Sequence, residues 1–168
     1  MVDETEKTNA MRILEAKGIP YEAYYFSEDI HSAQGVAEVV GIPANRVYKT
    51  LVTVPSEGRA HPILAIVPGD RELDLKDLAT VAGEKKVRMA SLEEAEDFTG
   101  LQVGGISPLA LLQKTWPVFL DVSAEEREEI LVSAGRRGIN LQLAVDDLIS
   151  VTNAQVAPIS REPASDPS

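Results

Sequence analysis

VYKTLVTV, residues Val47 to Val54, alternates as a β-strand does: Val47, Lys49, Leu51 and Thr53 fall on one face, Tyr48, Thr50, Val52 and Val54 on the other. Pro55, Ser56, Glu57 and Gly58 follow as a turn signal, and Pro62 to Val67 returns as a second apolar strand. The lysine is the unusual member. Lysine is poor strand material and costly to bury without a partner. Its ammonium, set between Val47 and Leu51, marks either a cavity that holds something anionic or carbonyl-like, or an exposed position on a half-solvated strand.

Outward from this hairpin the chain alternates helices with short strands. Towards the N-terminus, Thr8 to Lys17 predicts an amphipathic helix ended by Gly18, and Tyr21 to Phe26 a strand. Ser32 caps a helix to about Val40 that Gly41 and Pro43 close. Towards the C-terminus, Leu73 to Ala82 predicts a helix ended by Gly83, and Lys86 to Met89 a short strand. Ser91 with Glu94 is a capping box opening a helix to about Phe98, and Ser123 with Glu126 repeats the spacing before a short helix. Val118 to Asp121 is a strand, and Glu129 to Ala134 and Ile139 to Ala144 are strands flanking the GRRG turn. Asp146 to Val151 is a short helix and Ala154 to Ile159 a last strand. Hairpins mixed with helices indicate α+β, not a doubly wound parallel sheet. Nothing splits the chain, so residues 1–159 form one expected domain; the Pro- and Ser-containing tail 160–168 is expected to be disordered.

A second element bears on chemistry. LQVGGISPL, Leu101 to Leu109, carries Gly104 and Gly105, which let a ligand approach the main chain, and Pro108, which biases Ser107 to extended backbone. Such a loop can aim N–H groups at an oxygen; an ordinary glycine-rich turn is the competing reading. Taken together, VYKTLV, LDLKDLA…GEKKVRMAS (Leu73 to Ser91), TGLQVGGISPL and ILVSAGRRG (Ile130 to Gly138) resemble, in that order, the YbaK/EbsC family of aminoacyl-tRNA deacylases, relatives of the editing domain inserted in bacterial prolyl-tRNA synthetases. The resemblance covers about Met11 to Ile159 and is nearest the Cys-tRNA(Pro) deacylase branch.

The resemblance implies a curved, mixed, largely antiparallel sheet, barrel-like and flanked by helices. It implies hydrolysis of the ester that joins an amino acid to the tRNA 3′ end, mainly by positioning and oxyanion stabilisation. Lys49, Gly104 and Gly105 match the family's catalytic positions: the lysine contacts the terminal adenosine's phosphate or ribose, or the ester carbonyl, and the glycine pair faces the substrate with its backbone. Ser133 matches a pocket-edge serine, though a polar strand-end residue is the competing reading. His31, Ser107 and Tyr21 (or Tyr24) are further candidates for substrate contact. In the Cys-specific branch the substrate's own thiol attacks its ester, which suits a chain with no cysteine and no Ser-His-Asp pattern. Asn140 stands where that branch has an aspartate, and DIHSAQG lacks that branch's aromatic. Both departures widen the expected substrate to alanine or another small residue.

The net charge of −11 opposes a tRNA partner unless the cations converge. Candidate tRNA contacts are Arg46, Lys85, Lys86, Arg136 and Arg137, with Arg88 beside them; Glu93–Asp97 and Glu125–Glu129 read as solvated helix faces. The expected partners are the tRNA acceptor end, that of tRNA(Pro) first, and prolyl-tRNA synthetase. No cofactor or metal is expected, since the two histidines, His31 and His61, are far apart. Cysteine-free composition fits the cytoplasm, and no apolar run reaches the ~20 residues that would span a membrane. A non-catalytic module that recruits tRNA or a synthetase, and a hydrolase of free esters, are the competing classes.

Overall fold

The computed structural model describes residues 6–56 and 61–163. Helix α1 (Asn9–Ala16) starts on the Thr8 hydroxyl, which accepts from Met11 N. Strand β1 (Glu22–Tyr25) leads to α2 (Ala33–Val40), capped by Ser32 and stopped by Gly41 at φ 74°. One 3-10 turn (Ala44–Arg46) later come β2 (Tyr48–Pro55), β3 (Ile63–Pro68) and the two-residue β4 (Glu72–Leu73). Helix α3 (Leu75–Ala82) begins on the Asp74 side chain, two residues later than the apolar pattern suggested, because Glu72 and Leu73 are claimed by a strand. Strand β5 (Val87–Met89) precedes α4 (Leu92–Thr99), where the Ser91–Glu94 capping box is complete.

The second half runs through a 3-10 segment (Pro108–Lys114), β6 (Val118–Asp121), a 3-10 turn (Val122–Glu126), β7 (Glu129–Ser133), β8 (Ile139–Ala144), α5 (Val145–Thr152), β9 (Gln155–Ala157) and β10 (Ser160–Arg161). The expected capping box at Ser123 is not formed; the cap is Asp121, whose carboxylate accepts from Ser123 N.

The strands form a five-stranded sheet ordered β5-β2-β3-β6-β9, a three-stranded sheet β1-β8-β7 and the pair β10-β4. The β2–β3 hairpin has the expected alternation, Lys49 opposite Val67, Leu51 opposite Ala65 and Thr53 opposite Ile63. Its turn residues Glu57 and Gly58 lie outside the described residues. β6 and β9 add in parallel, the other pairings being antiparallel. The expected barrel is corrected: the two larger sheets meet through one bridge, Val47 to Leu131, and do not close. The tail is corrected at its start, where Ser160 and Arg161 pair with Leu73 and Glu72; residues 164–168 lie outside the described residues.

The main core fills the space between the two larger sheets and α1, α4, α5 and the 108–114 segment, with Tyr48, Val52, Leu64, Ile66, Leu120, Ile130 and Leu141 at its centre. A second core lies where Ala65, Val67, Leu78 and Phe119 bring α3 against the five-stranded sheet. Asp121 ties the C-terminal strands to it. This carboxylate, 2% exposed, accepts from Ser123 N at 3.2 Å and from Ile159 N at 3.1 Å. Asp121→Ala leaves these N–H groups unmatched, Ile159's in a fully buried residue, and is expected to cost about 2–3 kcal/mol. Urea denaturation measures it; a loss under ~0.5 kcal/mol would show that water replaces the carboxylate.

Candidate active site

The site is built on an interrupted strand edge. β5 covers β2 only at Thr53, Val54 and Pro55, and Val47 is held by β7. Between those two anchors the edge of β2 opens into a cavity of about 540 Å³. Because the cavity wraps around a free edge, residues from both faces of the strand line it, Lys49 and Leu51 from one, Tyr48, Thr50 and Val52 from the other.

Lys49 is half-buried, and among the described residues it makes no hydrogen bond and no ion pair. Burial pushes its ammonium below the ordinary lysine value of 10.5, while the charges of Glu72 and Asp70 pull it back up. An ammonium desolvated in this way, without a partner of its own, is available to a substrate oxygen. The cavity reading of the lysine is therefore the one the fold supports.

The opposite wall comes from the hairpin β7–β8 and the glycine loop. Ser133 and Asn140 sit directly opposite one another in register, and both line the cavity. The Ser133 hydroxyl accepts from Gly135 N at 3.2 Å. Asn140 is 6% exposed, and its side-chain amide has no hydrogen-bond partner among the described residues. Gly104, at φ 94°, brings its backbone against His31, where an added Cβ would lie 3.1 Å from the His31 Cβ. Both residues line the cavity, and Gly104 N–H makes no hydrogen bond among the described residues.

Several expected site residues are placed elsewhere. Gly105 donates its N–H to Gln102 O at 2.8 Å and packs its backbone on Arg136 and Arg137, so it shapes the loop and does not line the cavity. Ser107 is fully buried, with its hydroxyl accepting from Leu109 N as the cap of the 108–114 segment. Tyr21 turns its hydroxyl to Glu15 of α1 and Tyr24 to Gln142; neither lines the cavity. The basic residues do not converge on it either. Arg137 Nε donates to Val103 O at 2.7 Å, Arg136 meets Glu6 at 3.3 Å and Arg88 makes a two-pronged pair with Glu94. Lys85 and Lys86 are exposed between α3 and β5, and Arg46 stands outside the lining.

Two lining residues escape sequence reasoning. Thr50 lines the cavity, and its hydroxyl is buried with no hydrogen-bond partner among the described residues. As a β-branched residue in a strand it carries no signal in the sequence. Arg71 also lines the cavity; its only trace is a charged residue in the PGDR turn after β3.

A family model described as the aminoacyl-tRNA editing domain matches residues 27–151, the stretch that carries Lys49, Thr50, Gly104, Ser133 and Asn140. EbsC of Enterococcus faecalis, a candidate Cys-tRNA(Pro)/Cys-tRNA(Cys) deacylase, is 45% identical over 157 residues, 92% of this chain and 94% of that protein. A proline–tRNA ligase of Sulfurihydrogenibium is 31% identical over 118 residues, 70% of this chain but 20% of the ligase. A crystal structure of a candidate trans-editing enzyme for prolyl-tRNA synthetase superposes with a TM-score of 0.78 at 25% identity, over 96% of this chain and 99% of that one. This chain belongs to the aminoacyl-tRNA editing domain family.

Proposed function

We propose that this protein is a free-standing aminoacyl-tRNA deacylase that hydrolyses the ester of mischarged tRNA(Pro), Cys-tRNA(Pro) first. The observation that carries the reading is the unpartnered Lys49 ammonium in a cavity also lined by Gly104, Ser133 and Asn140. A volume of about 540 Å³ lies within the range of roughly 300–1,000 Å³ for clefts that enclose small ligands. A cysteinyl or alanyl group alone would leave most of it empty; the group together with the terminal adenosine fills it better.

The ester carbonyl sits at Lys49, whose charge, with Gly104 N–H, stabilises the oxyanion as the carbonyl carbon becomes tetrahedral. Asn140 and Ser133 hold the amino acid's polar groups. Among the described residues no serine of the lining is hydrogen-bonded to His31 and His31 to no carboxylate, so the nucleophile comes from water or from the substrate. With cysteine, the substrate thiol forms the new S–C bond as the C–O bond to the ribose breaks; the ribose oxygen takes the proton, and water then opens the thioester. With alanine, water must attack directly. Asn140, neutral and with a free amide, favours the alanine reading as the second choice. The acceptor end of tRNA(Pro) is the partner, and prolyl-tRNA synthetase the protein from which it would be received.

The test is deacylation of Cys-tRNA(Pro), Ala-tRNA(Pro) and Pro-tRNA(Pro) side by side, net of spontaneous hydrolysis. Loss of the cysteine ester with the proline ester spared is expected. Loss of the alanine ester alone would move the specificity to direct water attack. Tight tRNA binding with no turnover of any ester would make the protein a binding module.

A further inference from the structure

The cavity holds a second cation whose setting nothing in Lys49's role explains. Arg71 is half-buried in the lining, and its guanidinium is clamped from the C-terminal strand. Nε donates to Ser160 Oγ at 2.7 Å and Nη2 to Ser160 O at 3.2 Å. Nη1 makes no hydrogen bond among the described residues, and no carboxylate lies within ion-pair distance of Arg71. The same strand acts on the neighbouring acid, since Arg161 Nε stands 3.7 Å from the Glu72 carboxylate in the lining. β10 thus fixes the arginine and partly offsets the one carboxylate beside it. Pro163 completes that part of the wall. Asp70 is the other acid close by; it lines a second groove with Arg127 and Glu126, and Arg71 and Ser160 line that groove too, so Arg71 stands between the groove and the cavity.

An arginine held by one side of its fork, with Nη1 unbonded among the described residues, suits a doubly oxygenated anion. The anion that a tRNA 3′ end brings to such a place is the phosphodiester before the terminal adenosine. We infer that Arg71, positioned by Ser160, binds that phosphate, leaving the Lys49 ammonium to the ester carbonyl. The inference rests on the deacylase reading above. Two cations lining one cavity divide the work: a point charge at the reacting atom and a fork at the phosphate. Ser160 lies beyond the stretch matched by the family model, so the clamp belongs to the C-terminal strand of this chain.

The test compares wild type, Arg71→Gln, Ser160→Ala and Ser160→Thr on aminoacyl-tRNA and on the same amino acid esterified to adenosine without a 5′ phosphate. Arg71→Gln is expected to raise KM for aminoacyl-tRNA by about 10- to 100-fold with kcat within about twofold. It should flatten the dependence of log kcat/KM on log salt by about 0.7, one single-strand phosphate contact. The phosphate-free ester should be hydrolysed unchanged. Ser160→Ala should give part of the same KM rise, and Ser160→Thr should restore it. Equal loss on both esters, or no loss on either, overturns the inference. Should wild type hydrolyse neither, the deacylase reading fails by itself. Binding of adenosine 5′-monophosphate against adenosine then decides Arg71: a preference for the phosphate that Arg71→Gln abolishes supports it, and no preference overturns it.

Discussion

Replacing Lys49 with methionine should lower kcat/KM for ester hydrolysis by about 100- to 1,000-fold while leaving the melting temperature unchanged or higher. Methionine keeps the length and apolar stem of the side chain and removes only the charge. In the folded protein that charge is half-buried and has no hydrogen bond or ion pair among the described residues. Its desolvation is a cost, and removing it relieves the fold. The sign can be followed with pH. Burial places the folded-state pKa below 10.5, so between those two values the unfolded chain binds more protons than the native one. Wild-type stability therefore rises with pH through that window, and in Lys49→Met this increment should vanish. The catalysed rate, net of spontaneous hydrolysis, should fall through the same window as the ammonium is lost. Thermal melts and rates across alkaline pH measure both. A variant as active as wild type would remove Lys49 from the chemistry.

What was legible in the sequence was local. The Ser91–Glu94 box and the Ser32 cap are decided by side chains within three residues of the N–H they serve, and both formed. The face assignment of Val47 to Val54 held because alternation is a property of the strand alone. What failed was decided at a distance. Closure of a barrel depends on how far β2 and β7 run together, and among the described residues the two are joined only at Val47, just before β2, which bridges to Leu131. Ser160 and Arg161 have no strand-forming signal of their own; they are ordered by Leu73 and Glu72, far earlier in the chain.

The site divides in the same way. Lys49 stood out because a lysine in an apolar strand is locally inconsistent, and such inconsistencies gather at functional sites. Ser133 and Asn140 could be named from motif resemblance, but only the β7–β8 register puts them opposite each other. The family resemblance places Gly105 among the catalytic positions and makes Ser107 a candidate substrate contact. Their hydrogen bonds to Gln102 O and from Leu109 N show that the loop spends them on its own shape. Thr50 is recognised only by a missing partner, and Arg71 only by the strand that clamps it.

Gly105→Ala should be the most damaging single methyl group in the site, for reasons that do not involve contact with substrate. A Cβ there would lie 2.8 Å from Arg137 N, 2.9 Å from Arg136 C and 3.1 Å from Arg136 Cα, all of them backbone atoms that cannot swing aside. The glycine loop must then lift off the 135–138 turn. Lifting strains the Arg137 Nε bond to Val103 O and the Gly105 N bond to Gln102 O, both under 3 Å. Overpacking plus a weakened charged hydrogen bond is expected to cost about 2–4 kcal/mol of stability. The loop also sets Gly104 against His31, and the turn follows Ser133, so the displacement reaches both walls of the cavity. Misplacement by about 1 Å is worth roughly 100-fold in rate, and kcat/KM should fall by at least that much at temperatures where the variant remains folded. Urea denaturation and deacylation on the same preparation separate the two effects. A variant that loses stability but keeps its rate would mean that the loop is a prop for the hairpin and that Gly104 N–H does not act on the ester. A variant that keeps both would mean that the loop and the turn move apart without cost.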